Sequence, residues 1–93
     1  MNRQEYAETI ALQALGWLAA NDELLPVFLG ASGASVNDLV KNAGQPAFLG
    51  SVLDFILMDD AWVIAFCDAE NLPYQAPMEA RAGLPGGEQI NWT

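Results

Sequence analysis

No histidine occurs anywhere in the chain. Its absence removes the commonest general base and the commonest metal-binding side chain together. Ser/His/Asp and Cys/His catalytic sets are excluded within one chain, and so is a zinc site of the Cys/His type. Basic residues are almost as scarce. Arg3, Lys41 and Arg81 stand against twelve acids, for a net charge of −9. Such a chain repels phosphate backbones and anionic lipid surfaces, so neither a nucleic acid nor a membrane is expected as partner. Cysteine occurs once, at Cys67, which rules out an intrachain disulfide. No base lies within ten positions of it to lower its pKa, so a buried, inert thiol is expected.

Nor is there a phosphate loop. Gly83-Leu84-Pro85-Gly86-Gly87 has glycines but no lysine, and it reads as a chain terminator. The N-terminus does not resemble a secretion leader. Glu5 and Glu8 follow Arg3 at once, and Gln13 interrupts the next apolar stretch. The expected location is the cytoplasm, and no cofactor is expected.

What is present is apolar residue, 53% of the chain. The richest run is Pro46 to Cys67, whose charges are Asp54, Asp59 and Asp60. Three acids, two of them adjacent, argue against a lipid-spanning helix, since one Asp at its centre costs roughly 2.5–3.5 kcal/mol. The run reads instead as two core helices broken at Asp59-Asp60.

The spacing of apolar residues predicts an all-α, compact bundle of five to six short helices, not a coiled coil. The first covers 4–20, with Tyr6, Ile10, Ala14, Trp17 and Leu18 on one stripe, widened by Ala11 and Leu15. Gly16 inside it is expected to mark a close helix crossing, since glycine weakens a helix interior. Asn21-Asp22 ends it and caps a second helix over 22–31, with Pro26 near the first turn. Ser35 and Asp38 form a capping box for a third over 36–43, with Gly44 in the left-handed stop position. Pro46 fits the first position of a fourth over 46–58. Phe48, Leu49, Val52, Leu53 and Ile56 share its inner face, and Gly50, Ser51 and Asp54 its outer one.

Asp59 or Asp60 caps a fifth helix over 60–70, which carries Trp62, Val63, Phe66 and Cys67 inward. A sixth runs from Leu72-Pro73 over 73–82, with Pro77 inside it. Residues 1–86 form one domain and 87–93 a C-terminal tail. The pattern Leu39, Ala43, Gly44, Pro46 recurs as Met78, Ala82, Gly83, Pro85, an echo that reflects helix-stop chemistry.

Carboxylates are the remaining chemical groups. Asp59-Asp60, together with Asp54, could bind a hard cation through oxygen, but their spacing does not match a calcium loop, and a capping role for Asp59 or Asp60 is the expected one. No catalytic, cofactor or metal residue is therefore assigned. The candidates for partner binding are Ile90 and Trp92 in the tail, and Asp68 and Glu70 late in the fifth helix. Acids there oppose the helix dipole. An Ile-x-Trp tail can fold back on its own domain or dock in a groove on another chain.

Several stretches carry a resemblance. They are Ala11 to Leu18 (ALQALGWL), Leu25 to Leu29 (LPVFL), the Pro46 to Leu57 block (PAFLGSVLDFIL) with Asp59-Asp60 after it, Leu72-Pro73, and Leu84-Pro85-Gly86. On these the chain resembles a family of short uncharacterised alphaproteobacterial proteins, a domain of unknown function. The resemblance spans about Tyr6 to Gly86. It implies a bacterial, intracellular, all-helical domain and brings no activity or catalytic residue.

Three functions fit these residues. The expected one is a non-enzymatic protein–protein interaction or adaptor module that binds another protein and can form a homodimer. The second is an acidic regulator that occupies a basic, nucleic-acid-type site. The third is a carboxylate-based or metal-assisted enzyme, which needs at least two of Asp54, Asp59, Asp60 and Asp68 in one pocket.

Overall fold

The computed structural model describes residues 2–84, and among these the chain forms six helices and no strand. Helix α1 (Arg3–Ala19) starts at Asn2, whose side chain accepts the Glu5 N–H while the Glu5 carboxylate reaches back to the Asn2 N–H. This capping box satisfies two free donors at once. One face of α1 is built from Ala7, Ala11 and Ala14, all fully buried, flanked by Ile10, Leu15 and Leu18. Small side chains let neighbouring backbones approach. Accordingly α1 packs across both α4 (Pro46–Leu57) and α6 (Ala76–Ala82). The closest approach is at Gly83, not Gly16. A Cβ on Gly83 would sit 3.0 Å from Ala7 Cβ and 3.2 Å from the Arg3 carbonyl oxygen, whereas one on Gly16 meets nothing within 4 Å.

Asn21 is the junction to α2 (Leu24–Ser32). Its side chain accepts the N–H groups of Glu23 and Leu24 at 3.1 and 3.0 Å. Regular helix begins two residues later than the spacing suggests because Pro26 has no N–H to give the Asp22 carbonyl. The helix runs to Ser32, and Gly33 at φ 75° closes it with its N–H on the Leu29 carbonyl. The predicted Ser35–Asp38 box is present in both directions at the head of α3 (Val36–Lys41). That helix ends at Lys41, not Ala43. Turns follow, and among the described residues the left-handed ones are Gly33 and Asn71, not Gly44.

Helix α4 is the centre of the fold. Pro46 stands at its start as expected, and Leu49, Val52, Leu53 and Ile56 are buried. Phe55 and Gly50 are buried as well, which a single inner face does not predict. Gly50 is covered by the Arg81 guanidinium of α6, 3.1 Å from where a Cβ would stand. The Arg81 Nε donates to Asp54 Oδ1 at 2.6 Å. A row of rings crosses the molecule through α4. Phe48 meets Phe28 at 6.1 Å, Phe28 meets Phe55 at 5.3 Å, and Phe55 stacks on Trp62 at 4.8 Å.

Asp59 caps α5 (Asp60–Glu70) by accepting the Ala61 N–H at 2.8 Å. Phe66 and Cys67 point into the core, with Trp62 and Val63 half-buried. Asn71, at φ 57°, ends the helix, and the Leu72 N–H closes on the Cys67 carbonyl. Helix α6 then begins at Ala76 rather than 73. A helix from 73 would need an N–H from Pro77 to the Pro73 carbonyl. That carbonyl instead accepts the Ala76 N–H at 3.0 Å and faces the Cys67 thiol at 3.4 Å. The sequence echo has no structural counterpart, since Leu39 is buried and Met78 is exposed.

Candidate functional site

The acidic residues do not gather. Asp54 on α4 is bound to Arg81, Asp59 is a helix cap, and Asp60 lies exposed in the first turn of α5. Asp68 accepts the Tyr74 hydroxyl at 2.8 Å. That hydrogen bond, and then the charge of Asp68, push the Tyr74 phenol above its ordinary pKa. Glu70 is the half-buried last residue of α5. The two acids proposed for partner binding thus stand at the α5 exit, where Asp68 ties down the following loop. Ile90 and Trp92 lie outside the described residues. Among the described residues no three His, Cys, Asp or Glu side chains converge as metal ligands.

The thiol is as unreactive as its surroundings suggest. Cys67 is free and buried, and burial, with Asp68 second, pushes its pKa up. None of the helices among the described residues is long and apolar enough to cross a membrane.

Two concave surfaces are notable. One lies between α2 and α4, over Phe28 and Phe55, with Ser51, Asp54 and Met58 at its edge. Its polar atoms are engaged within the fold: Ser51 Oγ donates to the Phe48 carbonyl at 2.6 Å, and Asp54 holds Arg81. The other is a groove of about 370 Å³ between α1 and the α3 region. Leu12, Leu15, Gly16 and Ala19 line one wall, and Leu39, Val40 and Ala43 the other. Every lining residue is apolar.

Helix α3 explains why this groove stays open. It is six residues long and buries one side chain, Leu39. Val36 and Val40, one turn apart, face outward at 57% and 81% exposure, and Leu12 across the groove is 47% exposed. Sequence reasoning passed over all three. Leu12 falls off the main stripe of α1, and a Val–Val pair at i, i+4 on so short a helix looks like core. The signal available was slight: Val36 and Val40, at i and i+4, lie on the same side of Leu39, so turning Leu39 inward leaves both at the rim.

A family model described as "Protein of unknown function (DUF3572)" matches residues 4–87. No curated protein and no solved structure matches the chain.

Proposed function

The chain belongs to the DUF3572 family of proteins of unknown function, and from that premise we propose that it acts by binding another protein. The observation that carries this reading is the α1–α3 groove, apolar along its whole lining and edged by Val40 at 81% exposure. Contiguous exposed apolar surface is one mark of a protein interaction site. The role is that of a non-enzymatic interaction or adaptor module in the cytoplasm. The separate engagement of Asp54 with Arg81, Asp59 with the Ala61 N–H and Asp68 with the Tyr74 hydroxyl supports the first part. A chain with one cysteine holds no internal disulfide, which fits the second.

The test is crosslinking in the native cell from a photoreactive residue placed at Leu12 or Val40. Both positions are expected to trap the same protein, and exposed Ala65 on α5 is expected not to trap it. Val40→Glu is expected to abolish the crosslink from Leu12 while leaving the melting temperature within about 4 °C, as for most exposed substitutions (about ±0.5 kcal/mol, at roughly 4–8 °C per kcal/mol). Loss of folding at Val40→Glu, or crosslinks no different from those at Ala65, would overturn the reading.

A further inference from the structure

The described chain ends at the edge of a hollow. Leu84, the last described residue, is buried, and its N–H closes on the Arg81 carbonyl. Just before it, Gly83 lies against Ala7 and the Arg3 carbonyl oxygen. The chain thus leaves α6 beside the first turn of α1. There the two helices border a hollow of about 500 Å³, lined by Arg3 and Tyr6 from α1 and by Met78, Glu79 and Ala82 from α6. Arg3 borders Gly83 and lines the hollow as well. Tyr6 and Met78 are 37% and 63% exposed.

The lining is chemically mixed. Tyr6, Met78 and Ala82 offer apolar surface, Arg3 a guanidinium and Glu79 a carboxylate. An aliphatic anchor would use the first and leave both charges unanswered, whereas an indole uses all three. Its faces attract a guanidinium and pack on a thioether, and its N–H needs an acceptor once covered. An indole stands eight residues beyond Leu84, at Trp92. Eight residues span at most roughly 26–29 Å when extended, ample for a hollow whose wall includes Ala82, two residues before Leu84. Reaching it needs only a reversal of the chain. Gly86-Gly87 stands where that reversal falls, and glycine takes either sign of φ. So short a tether holds Trp92 at an effective concentration on the order of millimolar.

We infer that Trp92 of the chain's own C-terminal segment seats in the α1–α6 hollow, with its ring on Tyr6 and Met78 beside the Arg3 guanidinium and its N–H on the Glu79 carboxylate. This hollow shares no residue with the α1–α3 groove, and neither reading depends on the other.

The test is nuclear magnetic resonance of the full chain. The Trp92 indole N–H is identified by its loss in Trp92→Phe. It is expected to show Overhauser contacts to the Met78 methyl group and the Tyr6 ring. It is also expected to exchange with solvent at least about fivefold more slowly than in a peptide of residues 85–93. Met78→Asp, at an exposed position, is expected to remove the contacts and return exchange to the peptide rate while circular dichroism stays that of the folded chain. Ala82→Gln, which fills part of the hollow, is a second variant with the same expectation. Glu79→Ala is expected to speed indole exchange several-fold and leave the ring contacts in place.

Exchange at the peptide rate, with no contact to Met78 or Tyr6, would overturn the assignment. So would contacts from the indole to Leu12 or Val40, which would place it in the other groove. Contacts seen only between differently labelled copies in a mixed sample would overturn it too, since the segment would then fill the hollow of a second copy.

Discussion

Glycine shows how little a residue's identity says without its neighbours. Gly16 and Gly83 both follow helical backbone, and neither has positive φ. Gly16 faces open space, so Gly16→Ala is expected to stabilise the chain by about 1 kcal/mol through helix propensity. That corresponds to a rise of roughly 4–8 °C in melting temperature for a domain of this size. At Gly83 the same methyl group would press on Ala7 Cβ at 3.0 Å and on the Arg3 backbone oxygen at 3.2 Å. Neither can step aside without moving α6 off α1. Gly83→Ala is therefore expected to destabilise by about 1–3 kcal/mol, the range for overpacked interiors. Thermal melts of the two variants should move in opposite directions. A shift of the same sign in both would show that propensity outweighs packing at Gly83.

Among the elements, α3 depends most on its cap. It buries one side chain, so the Ser35–Asp38 box supplies a large share of what holds it. Ser35→Ala is expected to cost about 1 kcal/mol, read as faster amide exchange in Val36–Lys41 with little change in α4. The box is also pH-sensitive. The Ser35 backbone N–H, and then its hydroxyl, hold the Asp38 carboxyl below its ordinary value. A group whose folded pKa is depressed stabilises fully above its unfolded pKa and loses that contribution as pH falls through the folded one. Exchange in α3 should accordingly rise on acidification below about pH 4, and Asp38→Asn should remove that pH dependence.

Elements governed by local chemistry were legible in the sequence. Pro46, Ser35 with Asp38, and Asp59 each mark a helix start through a side chain or ring adjacent to it. The misreadings arose where a distant partner decides. Gly50 looks like an outer-face residue until Arg81, thirty-one positions away, is laid over it. Phe55 lies off the main stripe of α4 and is buried because Phe28 and Trp62 meet it from α2 and α5. The α1–α3 groove was invisible for the same reason, since it exists only once two helices are placed side by side.

For the whole molecule, charge is the distinctive quantity. The radius of gyration is 12.3 Å, close to the roughly 12 Å expected of a folded chain of this length. Nine uncompensated negative charges are therefore confined within distances that electrostatics spans at low salt. The Debye length is about 30 Å at 0.01 M and about 8 Å at 0.15 M. Self-repulsion destabilises a compact state, so the melting temperature is expected to rise by several degrees between those two salt concentrations. The Asp54–Arg81 pair opposes the trend, but a half-exposed pair contributes only about 0–1 kcal/mol. A flat or falling melting temperature would show that local ion pairs outweigh the net charge.

The row of rings through α4 has an optical consequence. Trp62 lies on Phe55 at 22°, and Trp17 is tilted at 59° against Phe66. Each indole is thus held in a fixed, asymmetric setting, and the two settings differ. Rigid aromatic pairs of this kind generate near-ultraviolet circular dichroism, which vanishes when side-chain packing loosens even if the helices persist. Among the described residues there are therefore two built-in indole reporters, one at the α4–α5 contact and one at α1–α5. Trp17→Phe and Trp62→Phe variants separate their signals, so the loosening of each contact can be followed without a label.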